Sequence, residues 1–288
     1  MARAMQQIKQ DIAVLEEKVA NLAVELRALY SKYLNLLSQS ARKQLILASY
    51  QICTQAYPES FLKLSVSDRQ KLQENLRKLG KTIQSRLLPL LEISIHSNDS
   101  SDVESLEAQE LFLLSSEEAS PSETEVPGEE PEKIANPEDL LRWCKQIEQG
   151  IQETLETLSQ QANFYLQEAQ ILPAQVPVKV LEMAMQTEAS TASSSGSPNL
   201  LSLLVETERE GEEESPAPKE NAKITKLTAI HLRLSEIEFS DPTLNIERNQ
   251  MRSWLEKLRK IRQQYRQIQR EYASAEAEAA WRATWYED

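Results

Sequence analysis

The densest set of chemically capable side chains lies near the C-terminus. There Arg248, Arg252, Lys257, Arg259, Lys260, Arg262, Arg266 and Arg270 are interrupted by a single acid, Glu256. On a helix such residues form a cationic stripe that suits phosphates or carboxylates: a nucleic acid, an anionic membrane or an acidic protein segment. The other reactive types are sparse. His96 and His231 are isolated from each other, so the two-histidine helical zinc motif is absent. Cys53 and Cys144 fall on apolar stripes with no CxxC spacing, which reads as core thiols in a reducing compartment. The 5 glycines are scattered and no two share a loop, so a Walker or dinucleotide-binding motif is absent. Carboxylates are plentiful but concentrated away from the apolar stripes. These patterns predict a chain that is not an enzyme and takes no metal or cofactor.

The elements that must position these residues are helical. Leu, Gln, Glu and Ala dominate, and β-branched runs and glycine turns are few, so the expected class is all-α. Ile8, Ile12, Leu15, Val19, Leu22, Leu26, Leu29, Tyr33 and Leu36 follow spacings of four and three. That period makes a coiled-coil-like seam, with Ile12 and Val19 at a and Leu15, Leu22 and Leu29 at d. A parallel homodimer would set Asp11 against Glu16, which is mildly repulsive, and an antiparallel partner, including one from the same chain, is equally admissible. The seam weakens at Ser38–Ser40 and resumes through Leu45 and Ile52, and Pro58 stops the helix. Ser67 and Gln70 form a capping-box pattern before a helix carrying Leu72, Leu76, Leu79, Ile83 and Leu87. Residues 1–93 thus form a helical hairpin.

Asn136 caps a second strong helix, with Pro137 at its first position and the stripe Leu140, Cys144, Ile147, Ile151, Leu155 and Leu158. It belongs to a central region, 136–188, closed by a short amphipathic piece near Val178–Met185. Residues 222–288 read as a helical hairpin. Ile224, Leu227, Ile230, Leu234 and Ile237 line one helix, and Phe239–Pro242 makes the corner. Met251, Trp254, Leu258, Ile261, Tyr265, Ile268 and Tyr272 line the other, leaving the basic stripe on its outer faces.

Between these regions the periodicity vanishes. Residues 94–135 and 189–221 gain Ser, Pro and Glu, and their composition predicts disordered acidic linkers. An apolar island at Val103, Leu106 and Leu111–Leu114 interrupts the first, and the patch Leu200–Val205 interrupts the second. The net charge of -13 is therefore divided into acidic tethers and a basic helix. The N-terminus shows no apolar signal core, and no apolar run reaches the ~20 residues of a membrane span. A cytoplasmic protein is expected.

The segment His231–Pro242, the ending Ala279–Tyr286 and the stretch Gln51–Glu59 resemble a group of cyanobacterial helical proteins to which no role is assigned. The resemblance implies a bacterial cytoplasmic setting and brings no catalytic residues with it.

Together these features predict a non-catalytic interaction or assembly protein acting through its seams, by self-association or with a protein partner. Its expected contact residues are Ile12, Leu15, Val19, Leu22, Leu26 and Leu29 on the first helix. On the last helix they are Arg252, Lys257, Arg259, Lys260, Arg262, Arg266 and Arg270. A nucleic-acid-associated or peripheral membrane protein using the basic helix is the alternative.

Overall fold

Each long helix begins and ends for local reasons. The computed structural model describes residues 5–92, 134, 136–172, 198–207 and 223–285. Helix α1 (Met5–Gln51) runs unbroken past Ser38–Ser40, because Ser38 and Ser49 turn their hydroxyls back onto main-chain carbonyls of the same helix. It passes into a π turn (Ile52–Ala56) and meets Pro58, which opens the short helix α2 (Pro58–Lys63). Helix α3 (Val66–Leu87) is capped by Ser65, whose hydroxyl accepts from the Asp68 amide at 3.1 Å. The cap thus lies two residues before the expected Ser67, because Ser65 is the residue with extended backbone. Pro89 falls in a 3-10 turn (Leu88–Glu92) that ends this helix. Helix α4 (Pro137–Glu168) starts at Asn136, whose side chain accepts from the Asp139 amide at 2.8 Å. Asp241 caps α6 (Pro242–Thr284) directly after the short helix α5 (Leu234–Ser240).

The long helices form an up-down-up-down bundle. Asn35 of α1 bonds Gln84 of α3, and Ser40 bonds Asp241 at the start of α6, so α3 and α6 both run antiparallel to α1. Tyr30 of α1 reaches Glu148 of α4 while Arg86 of α3 reaches Gln161, which sets α4 parallel to α1. Gly150 allows a close approach, since a Cβ there would collide with the Leu90 side chain of the 3-10 turn. The chain is therefore all-α in class, with one small sheet attached.

The sheet corrects the sequence reading. Strands β1 (Leu200–Thr207) and β2 (Lys223–Ile230) pair antiparallel, with Leu200 opposite Ile230 and Thr207 opposite Lys223. Ile224, Leu227 and Ile230 were expected on a helix. However, the order Lys-Ile-Thr-Lys-Leu-Thr-Ala-Ile also fits a strand, and the apolar Leu200–Val205 offers it a partner. Leu227, Ala229 and Ile230 are buried and Thr228 is half-buried, so this end of the strand is covered on both faces. The acidic stretch 189–221 thus contains a strand. The remainder of that stretch, nearly all of 94–135 and the piece Val178–Met185 lie outside the described residues.

The buried stripes show how many neighbours each helix has. On α6 the set Leu244, Met251, Leu258 and Tyr265 recurs every seven residues, as does Arg248, Leu255 and Arg262. That helix faces mainly α1. Along α1 and into the π turn the set Ile8, Val19, Tyr30, Ala41 and Ile52 recurs every eleven, as does Leu15, Leu26, Leu37 and Ala48. An eleven-residue repeat lies close to the natural twist of a straight helix. It arises because α3, α4 and α5 join α6 around the second half of α1, so the buried face widens. Leu29 and Leu36, expected in the seam, are only half-buried, and Tyr30, Leu34 and Leu37 take the core positions.

Candidate interaction site

Two features organise the molecule around α1 and α6. The first is a charge cluster inside the bundle. Arg248 of α6 donates through both terminal nitrogens to Glu148 of α4, at 2.6 and 2.9 Å, and through Nε to Glu238 of α5 at 2.8 Å. Tyr30 donates to Glu148 at 3.0 Å, Tyr33 donates to Glu238, and the Arg248 guanidinium lies 5.2 Å from the Tyr33 ring centroid. All five side chains are buried. Burial, then the nearby carboxylates, raises both tyrosines well above their ordinary pKa. Burial works against the Arg248 charge, but Glu148, Tyr33 and Glu238 outweigh it and hold the guanidinium above its ordinary value.

Sequence spacing carried part of this cluster. Arg248 precedes Met251 by three residues and Glu148 follows Cys144 by four, so both stand on apolar stripes. A charged residue in register with a buried stripe is the signal that reveals an internal pair.

The same logic reassigns the basic stripe. Arg262 is 3% exposed and sits 2.7 Å from Glu138, and Arg266 binds the other oxygen of Glu138 at 2.9 Å. Arg262 was expected on the surface; it lies instead on the seam, seven residues from Leu255. Arg252 is half-buried, and Lys257 lies over the Trp254 ring at 3.6 Å. Arg259, Lys260 and Arg270 are exposed. Arg248, Arg262 and Arg266 are thus drawn into pairs with acids of α4 and α5, while Arg259, Lys260 and Arg270 stand at the solvent.

The second feature is a stalk. Leu91 at the end of α3 accepts from Arg27, and Glu138 at the start of α4 meets Arg262, so α3 and α4 cover α1 only from about these levels onward. Below them α1 and α6 pair with each other: Tyr265 donates to Glu16 at 3.3 Å, and Lys9 lies 5.7 Å from the Tyr272 ring centroid. Ile8, Leu15 and Tyr265 are buried there yet stand apart from the main core, which extends from Val19 to Leu258. Of the expected contact residues, Leu15 lies in this stalk and Ile12 is half-buried there. Val19, Leu22 and Leu26 are buried where the stalk enters the bundle. The seam is consumed within one chain, in the antiparallel arrangement.

Helix α6 carries the tip of the stalk. Its rings Trp281 and Trp285 stack at 5.3 Å and are 64% and 60% exposed. Arg282 beside them pairs with Glu278 at 3.3 Å.

His231 and the two thiols are also enclosed by the fold. His231 is buried and its pKa is pushed down to about 4 by burial and then by Arg233. Burial pushes the Cys53 thiol up to about 11, and burial followed by Glu148 raises that of Cys144 further. Among the described residues no group of three His, Cys, Asp or Glu could hold a metal ion, and no helix is long and apolar enough to cross a membrane. Comparison of the chain with family models, with curated proteins and with solved structures gave no match.

Proposed function

We propose that the protein is a non-catalytic helical adaptor whose α1–α6 stalk, an antiparallel coiled coil, presents the tip of α6 to a protein partner. The stacked and exposed Trp281 and Trp285 carry this reading. Tryptophan supplies large contact area at low entropic cost and is enriched where interfaces concentrate their energy. A folded chain places two such rings in water at a cost that a partner can recover. The groups that would serve catalysis support the same reading, because the thiols, His231 and the Arg248 cluster are buried in structural contacts. Because Arg248, Arg262 and Arg266 already pair with Glu148, Glu238 and Glu138, this helix attracts polyanions less than its full count of cations would.

A photo-crosslinking residue at Thr284, compared with one at Lys78 on the outer face of α3, tests the proposal in the native host. One defined protein should be captured from the first position and not from the second. Trp281→Ala with Trp285→Ala should reduce that capture at least tenfold without changing helical content. Capture of RNA or DNA instead, lost on replacing Lys257, Lys260 and Arg270 by Gln, would replace the adaptor reading with a nucleic-acid one.

A further inference from the structure

The two edges of the small sheet are treated differently by the rest of the chain. The outer edge of β2 is closed at its Thr228–Ile230 end by side chains of the bundle. Asn163 of α4 accepts from the Ile230 amide and donates to the Ile230 carbonyl, each at 2.8 Å, so its amide imitates a neighbouring strand. The Tyr57 hydroxyl accepts from the Thr228 amide at 2.8 Å. Because Thr228 and Ile230 point their main-chain groups outward, the bonded pairs between the strands are the odd positions. His231 donating to Asn199 at 3.0 Å continues this pattern. It follows that Leu200, Ser202, Leu204 and Glu206 direct their amides and carbonyls to the outer edge of β1. Among the described residues nothing pairs with that edge.

Natural edge strands are defended by lysines, prolines, bulges or covering elements. Strand β2 has Lys223 and Lys226 besides its side-chain caps. Strand β1 has no proline and no cation, and from Leu200 to Val205 no charge at all. We infer that the outer edge of β1 is a self-association surface, where β1 of a second copy of this chain pairs antiparallel across a two-fold axis at Leu203 to make a four-stranded sheet.

The register is self-complementary. With Leu203 on the axis, Ser202 stands opposite Leu204 and Leu200 opposite Glu206, so every outward amide meets an outward carbonyl. No two like charges face each other. The acidic sequence after Thr207, from Glu208 to Glu214, continues from opposite ends of the shared sheet in the two copies. A parallel pairing would bring those runs side by side in a chain of net charge -13. A segment of the same chain or a foreign peptide could use the same edge, but neither has this built-in match of register and charge. The inference does not depend on the stalk: self-pairing through β1 would stand if Trp281 and Trp285 had no partner.

Sedimentation of the full chain over a wide concentration range tests it. The wild type should pass reversibly from monomer to dimer. Ser202→Pro and Leu204→Pro each remove an outward amide without touching the β1–β2 ladder, so each should weaken dimerisation at least tenfold with unchanged circular dichroism. Hydrogen exchange of the wild type gives a reading independent of any variant's folding, since the Ser202 and Leu204 amides should be protected only at dimer-forming concentrations. A wild type monomeric throughout, or a dimer indifferent to both prolines, overturns the inference. Protection at every concentration would show an edge filled by the chain itself. Protection at none would leave it for a foreign strand. Either result also overturns the second-copy assignment.

Discussion

At the scale of single residues the bundle depends on charges placed where apolar side chains would ordinarily sit. Arg248 neutralises Glu148 and Glu238 together, so its removal strands two buried carboxylates. Breaking such a pair from one side costs about 3–5 kcal/mol, well above what an exposed pair contributes. Arg248→Met should therefore lower stability in urea by about that amount, and Lys260→Met, at an exposed site, by less than about 0.5 kcal/mol. Equal losses would show that the cluster is solvated. His231 makes a second prediction with a sign. Its folded pKa near 4 lies below the unfolded value, so the unfolded chain binds the proton more readily. The stabilisation from keeping this ring neutral is fully present above about pH 6.5 and is lost as pH falls toward 4, at up to about 1.4 kcal/mol per pH unit. His231→Phe should flatten the stability profile in that window relative to wild type. Parallel profiles would mean that His231 is charged within the fold.

At the scale of elements the sequence announced its helices more clearly than their neighbours. Capping residues are local: Asn136 and Pro137 marked the start of α4, and Phe239–Pro242 the corner before α6, without help from the tertiary structure. The seam of α1 depends on which helices arrive beside it, which its own residues do not state. Where only α6 faces it, Ile8, Leu15 and Leu22 keep the seven-residue spacing. Once α3 and α4 join, the buried face shifts to Tyr30, Leu34 and Leu37. The strand β2 was hidden for a related reason: Ile224, Leu227 and Ile230 are spaced as a helical stripe, whereas in a strand they divide between the two faces, so the period of two was missing. Its partner strand lay beyond an acidic stretch. The shift in α1 gives a direct test. Leu34→Ala removes a fully buried side chain and should cost about 2–5 kcal/mol, whereas Leu36→Ala, at the seven-residue position, should cost about 1 kcal/mol or less. The reverse order in thermal unfolding would restore the simple heptad.

At the scale of the whole molecule the described chain has two regions of unequal support. Most buried apolar side chains form one cluster from Val19 of α1 to Leu258 of α6, to which α3, α4 and the sheet all contribute. The stalk below it rests on one helix pair. Its α1 part, roughly Met5 to Lys18, spans about 20 Å, and α6 continues beyond it. A pair of helices buries a narrow stripe, and each helix leaves most of its backbone hydrogen bonds exposed to water, so local opening there should precede global unfolding. Ile8→Asp places a charge in that stripe, far from the Arg248 cluster. It should strip exchange protection from α1 up to about Leu15 and from α6 beyond Tyr265, while amides around Leu34, Ile151 and Met251 keep theirs. The main cooperative transition should move by less than about 1 kcal/mol, because the bundle loses none of its own contacts. Loss of protection throughout the chain would mean that stalk and bundle are one cooperative unit. In that case a partner gripping the tip would stabilise the whole fold rather than only the arm that reaches it.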